Sequence, residues 1–191
     1  MVFQINDRTI ESEFERLATL ILLEKVLVVN DSQFNFTEIE FYYYSPNHQD
    51  AFTHVHDEPA GKRRFHNQGF DITLKGTLGF GGILIRGVEC INTSKRIFIN
   101  GPRRVMFSIM KYLNNVDNLY NRLGITDKEK DSLTIFKTFR QGLNKPNPKL
   151  ECDKPEYFKT ASYRFIVNPQ LFDRKQFSDS EKIAKGFNNK E

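Results

Sequence analysis

The sequence predicts a mixed α+β fold with antiparallel strands, and three observations carry that prediction. Short runs of alternating or β-branched and aromatic residues recur along the chain, among them VLVV, TEIEFYYY, FDITL, ILIRGV and SYRFIV. Turn residues separate them, NDS after the first and a glycine-rich KGTLGFGG later, as hairpins require. Two other segments instead space their apolar residues at the helical period.

In chain order, Glu11 or Ser12 opens a helix whose apolar stripe is Phe14, Leu17, Ala18, Leu20, Ile21 and Leu22, with Glu13 and Glu15 near its positive end. It is expected to end at residues 23–25. Residues 26–29 read as a buried strand and residues 34–44 as its hairpin partner. Strand alternation sets Glu38, Glu40, Tyr42 and Tyr44 on one face and Ile39, Phe41 and Tyr43 on the other. Residues 45–69 read as a long loop holding all four histidines of the protein. Strands over 70–74 and 83–88 flank the KGTLGFGG tip, with Leu78 and Phe80 exposed on it. A further strand covers 96–99, and Gly101-Pro102 starts a helix through Val105, Ile109 and Leu113. Asp127 opens a helix-like segment toward Leu143, NKPNPKLECDKP is a loop, TASYRFIVNP is the last strand, and the polar tail over 178–191 is helical or frayed.

The 191 residues suit a single domain, and no apolar run approaches the roughly 20 residues that a membrane helix needs. The opening MVFQINDRTIESEF lacks the basic and apolar regions of a secretory signal, and only Cys90 and Cys152 occur, so a reduced cytoplasmic setting is expected. In a secreted chain those two would be able to form one bridge. The net charge of +4 is clustered at Lys62-Arg63-Arg64, Lys95-Arg96, Arg103-Arg104 and Lys111, a distribution suited to a phosphate backbone or, equally, to a solvated surface.

Three local patterns are candidates for chemistry. His54 and His56, with His66, Asp57 or Asp71, offer metal-ligand types, although HxH also arises in any polar loop. KGTLGFGG lacks the GxxxxGK[ST] pattern of a phosphate loop and is followed by a strand rather than a helix. Neither cysteine has an evident base beside it in the sequence. Glu40 remains, a carboxylate one strand step from Tyr42.

The order FERLATLILLEKVLV, TEIEFYYY, DAFTH, GGILIRGVE, INGPRRVMFSIM, ASYRFIV resembles that of the alkylpurine (3-methyladenine) DNA glycosylases. There a helix ending in a Leu-Leu-Gly-Lys-like stretch precedes a strand, and a Glu-x-Glu-Ala-Tyr strand follows. A histidine segment, a Leu-Ile-Arg strand, a Gly-Pro-initiated helix and a terminal Arg-Phe strand complete the order. The resemblance implies one domain over 1–191, a curved antiparallel sheet packed with helices, similar to the C-terminal domain of formyltransferases. It also implies base-excision chemistry: water, activated by Glu40, hydrolyses the N-glycosidic bond of a modified purine flipped from duplex DNA. Tyr42 would stack on that base, His54 would face it across the pocket, and Arg86 would lie beside the carboxylate. Lys62, Arg63, Arg64, Lys75, Arg103 and Arg104 would hold phosphates. No cofactor or metal is required, and a monomer is expected.

The chain departs from that pattern between pocket and arginine, where RFHNQGFDITLKGTLGFGG is shorter than the family's segment and lacks its DNA-wedging tyrosine. Phe80 or Leu78 could replace the wedge, or could simply pack in the hairpin. Phe41 stands in place of the motif's alanine, and Phe70 and Asn67 are the nearest candidates for the remaining pocket residues. Two alternatives therefore stand beside the glycosylase reading: a non-catalytic descendant that binds nucleic acid, a nucleoside-like ligand or a protein, and a metal-dependent hydrolase using His54, His56, His66 and Asp71.

Overall fold

Fourteen residues without glycine or proline, Ser32–Ser45, form β2, the strand on which the sheet is organised. The computed structural model describes residues 2–91, 96–113, 121–143 and 145–169, so Lys95 and the tail expected to be helical or frayed lie outside the described residues. β1 (Lys25–Val29) turns back into β2 through Asn30, whose positive φ of 52° suits asparagine. On its other edge β2 pairs along most of its length with β6 (Phe80–Cys90). The sequence-predicted strands at 70–74 and 96–99 are present as β5 (Gly69–Lys75) and β7 (Ile97–Asn100), and the last one, expected over 160–169, is confined to β10 (Arg164–Val167).

Both central strands carry several partners in succession along their outer edges. Beyond β2 lie β1, β10 and finally the short β3 (His48–Gln49), and beyond β6 lie β7 and then β5. With β4 (Arg63–His66) beside β5, β8 (Leu123–Asp127) on β1 and β9 (Ile135–Thr138) on β10, every pairing between these strands is antiparallel; an isolated parallel bridge joins Gln4 to Lys75. The result is an α+β domain around one strongly curled, ten-stranded sheet.

Helices cover the apolar face. α1 (Ile10–Thr19) continues into a π-helical turn, Leu20–Glu24, and inserts Phe14, Leu17, Ala18 and Ile21 against Ile39, Phe41 and Tyr43. Phe14 stacks on Phe41 with ring centroids 4.6 Å apart. α2 (Pro102–Tyr112) starts as expected at Gly101-Pro102 and buries Val105, Met106 and Ile109 in the same core. No helix among the described residues is long and apolar enough to cross a membrane.

The structure differs from the sequence reading in several places, and the predicted loop over 45–69 itself contains β3 and β4. The segment from Asp127 toward Leu143 is not helical: β8 ends at Asp127 and β9 follows after an extended connection. Apolar residues at 133, 136 and 139 mimic a helical period, but the free edges of β1 and β10 take this chain as strands. Between the predicted loop over 144–155 and the last strand lies a short helix that the sequence reading does not assign, α3 (Pro155–Thr160). β6 begins at Phe80, so the hairpin tip contracts to residues 76–79.

The glycines of that hairpin have a packing cause. The Tyr43 hydroxyl lies beneath the turn and donates to Asp7 Oδ1 (2.6 Å), while Asp7 Oδ2 accepts the Leu78 N–H (3.0 Å). A Cβ on Gly76 or Gly79 would fall 2.0 or 2.5 Å from the Tyr43 hydroxyl. On Gly81 it would fall 2.1 Å from the Tyr42 carbonyl oxygen, whereas on Gly82 nothing lies nearer than 3.5 Å. Gly81→Ala is therefore expected to destabilise the protein by about 3 kcal/mol, the upper part of the overpacking range, and Gly82→Ala by much less. Urea denaturation of the two variants measures the difference.

Candidate functional site

The second face of the sheet is polar yet equally closed. Between β2 and β6 the ladder slips out of register at Thr37 and recovers at Arg86, which leaves Arg86 beside both Glu38 and Glu40. Glu38 Oε1 accepts from Arg86 Nε (2.8 Å) and from Arg164 Nε on β10 (2.7 Å). Glu40 faces Arg86 at 3.3 Å (Oε1 to Nε) and 3.4 Å (Oε2 to Nη1). Its Oε1 also accepts the backbone N–H of Gln141 (2.8 Å), and its Oε2 accepts the Tyr42 hydroxyl (2.8 Å). Two buried carboxylates thus share Arg86, and Glu38 takes Arg164 in addition.

Burial is the largest influence on Glu40 and lifts its carboxyl above the ordinary value; Arg86 opposes the shift and Glu38 adds to it. Arg86 loses hydration too, but Glu40 and Glu38 together raise its pKa further. Burial and the neighbouring Glu40 also hold the Tyr42 phenol well above its ordinary range, so it remains a donor.

Arg140 fixes the other side of Tyr42. Its guanidinium lies 4.5 Å from the Tyr42 ring centroid and binds Asp50 through two bonds, Nη1 to Oδ2 (2.6 Å) and Nη2 to Oδ1 (3.1 Å). The same group donates to the carbonyls of Phe41 (3.0 Å) and Phe158 (2.8 Å). Arg140 and Asp50 are both fully buried.

Tyr42, Phe52, Gln68 and Leu84 form the shared wall of two adjoining cavities. The larger, about 540 Å³, is lined further by Arg86, Arg103, Arg104, Lys145, Asn100 and Gln141, and none of its described lining residues is acidic. The smaller, about 40 Å³, is bounded by His54, His56, His66, Arg64 and Asp71. His54 is exposed, with its ring parallel to that of His66 at 6.3 Å, and His66 Nε2 meets Asp71 Oδ1 at 2.8 Å. His56 bonds the Gly81 carbonyl (2.7 Å), while His48 is a core residue between the Tyr43 carbonyl (2.7 Å) and the Tyr163 hydroxyl (3.0 Å). Among the described residues no three His, Cys, Asp or Glu side chains are grouped to hold a metal ion.

Glu40, Arg86 and Tyr42 therefore meet, and His54, Arg64, Arg103 and Arg104 border the same cleft. The remaining sequence-predicted residues stand apart from it. Arg63 is exposed on β4, Lys62 pairs with Glu58 (2.6 Å) and Lys75 with Asp57 (3.1 Å). Phe80 is not at the tip; it stacks on Tyr44 (5.7 Å) and touches His56. Phe70 is buried in the core, and Asn67 only lends its carbonyl to Arg103. Cys90 and Cys152 are free. Sequence reasoning missed Phe52, Arg140, Gln141, Lys145 and Arg164. Only Arg164 had a signal, a charge inside the otherwise apolar strand RFIV.

Because burial raises the Glu40 carboxyl, the folded protein holds this proton more tightly than the unfolded chain. The stability that follows is fully present below the unfolded value, near 4.5, and is lost as pH rises through the folded value. Glu40→Gln removes this loss, so the variant's stability relative to wild type is expected to improve between pH 4.5 and neutrality. Urea midpoints measured across that range test it. Compared with known proteins, the chain matches no family model, and no curated protein matches it.

Proposed function

We propose that the protein binds nucleic acid along the cationic cleft and draws one base out of the stack against Tyr42, Phe52 and His54. The observation that carries this reading is the lining of the larger cavity: Arg86, Arg103, Arg104 and Lys145 with two aromatic rings and no carboxylate. Cations attract phosphate oxygens, and aromatic faces accept any base without demanding a sequence. A volume of about 540 Å³ lies within the range of small-ligand pockets and accommodates a nucleotide. The curled antiparallel sheet, and the strand order carrying Glu40, Tyr42 and Arg86, support descent from the alkylpurine DNA glycosylase architecture. Duplex DNA holding a damaged purine is the ligand this descent favours.

Arg103 and Arg104 are exposed at the start of α2 and are the cations best placed for phosphates. Each phosphate contact contributes about −0.9 to the slope of log affinity against log salt. Replacing both arginines with alanine is expected to weaken duplex binding at least about tenfold and to flatten that slope by about 2. Fluorescence anisotropy titrations at several salt concentrations measure both, and an unchanged slope would remove the cleft from the binding surface.

Hydrolysis of the N-glycosidic bond is the second reading, favoured by Glu40 lying beside Arg86 with its hydroxyl partner Tyr42 on the cleft wall. Glu40 would take a proton from water as the water oxygen bonds to the sugar carbon and the carbon–nitrogen bond breaks, leaving free base and an abasic site. In the resting arrangement Gln141 N–H and Tyr42 Oη occupy the Glu40 oxygens, so this chemistry requires the backbone at Gln141 to turn away and water to take its place, with Arg140 still held on Asp50. Duplexes carrying methylated purines, hypoxanthine or ethenoadenine decide between the readings. Base release abolished by Glu40→Gln, with DNA binding retained, establishes hydrolysis. Salt-sensitive binding without release of any of these bases leaves binding as the function.

A further inference from the structure

An extruded base leaves a gap in the stack, and proteins that unstack DNA fill it with an apolar side chain. Two large apolar side chains stand out as exposed among the described residues, Leu78 at 63% and Phe107 at 62%. Leu78 borders a hollow in which the carboxylates of Asp7 and Glu13 offset Arg8 and Arg16, and its own N–H is held by Asp7. Around Phe107 the charges are all of one sign. α2 buries Val105, Met106 and Ile109 and turns Arg103, Arg104, Phe107, Met110 and Lys111 outward. At about 100° per residue, Arg103, Phe107 and Met110 fall within about 60° of one another, with Arg104 and Lys111 along one side of the stripe. The helix contains no acidic residue.

We propose that Phe107, with Met110 beside it, contacts the base stack next to the nucleotide held in the cleft; this rests on reading the cleft as a nucleic-acid site. The contact is continuous with the cleft, because Arg103 and Arg104 line the cavity and begin the same exposed stripe. Four residues of helix place Phe107 about 6 Å along the axis from Arg103, roughly two base steps. A phosphate held by Arg103 or Arg104 therefore brings neighbouring bases within reach of the Phe107 ring. Two apolar side chains among three cations offer too little apolar surface to anchor in a lipid interface, which favours nucleic acid as the occupant.

The test uses the full chain and a duplex with one unpaired purine beside a 2-aminopurine. Wild type is expected to bind in a salt-dependent manner and to raise 2-aminopurine fluorescence as that base unstacks. Phe107→Ala should lose the rise and bind about tenfold more weakly with the same salt slope, since no cation is removed. Phe107→Leu should keep most of both. Because Phe107 is exposed, unchanged thermal unfolding of the variants is expected and separates binding from folding. Wild-type affinity and fluorescence in Phe107→Ala overturn the inference while leaving the cleft reading intact, whereas a wild type that binds no nucleic acid overturns both. Association with anionic phospholipid vesicles that is lost in Phe107→Ala, with nucleic-acid binding unaltered, assigns the stripe to a membrane surface and also overturns it.

Discussion

The buried pair of Arg140 and Asp50 is the constraint on which the rest of the site depends. Neither side chain reaches water, and both terminal nitrogens of the arginine are spent on Asp50 and on two backbone carbonyls from β2 and α3. Removing one member of such a pair costs about 3–5 kcal/mol, because the survivor is left charged and unsolvated. The pair joins four stretches of chain: β2, the turn at Asp50, the segment leaving β9 and α3. It also presses a flat cation against Tyr42, fixing the plane of the ring that walls both cavities. The next residue, Gln141, delivers its N–H to Glu40. One anchored turn thus orients the aromatic wall and closes over the carboxylate.

Next to this anchor, Glu38, Glu40, Arg86 and Arg164 form a second closed group whose formal charges cancel. Such a group contributes little to stability by itself, because the lost hydration of each ion offsets much of the attraction. Its effect is geometric. The slip of the β2–β6 ladder puts Arg86 between two carboxylates, and β10 brings Arg164 to the outer one. Arg86 is therefore largely committed to the interior even though it touches the cleft, and the field that a ligand meets comes mainly from Arg103, Arg104 and Lys145.

The central strands, α1 and α2 were legible because burial there follows local periodicity: alternation in β2, an apolar stripe in α1, a Gly-Pro start in α2. Strand alternation also set Glu40 and Tyr42 on one face, whereas the meeting of Glu40 with Arg86 was expected only through the resemblance, because it depends on the register of strands far apart in the sequence. The edge strands β8 and β9 were not legible. They are only partly buried, and their pairing is dictated by neighbours distant in the sequence. Arg140 was equally opaque, for nothing in TFRQG distinguishes an arginine that will be swallowed from one left in water. The glycine-rich hairpin invited a functional interpretation, whereas its glycines make room for the Tyr43 hydroxyl and the adjoining backbone.

The contact between Glu38 and Arg164 joins residues 126 positions apart. During synthesis β2 emerges long before β10, so over residues 38–40 the growing chain carries an unpaired strand edge and two acidic side chains lacking one of their counter-ions. Unpaired edges of this kind invite association with other chains. Translation that stops short of β10 thus yields a product marked as incomplete by its own chemistry, open to chaperones and proteases in a way the finished molecule is not.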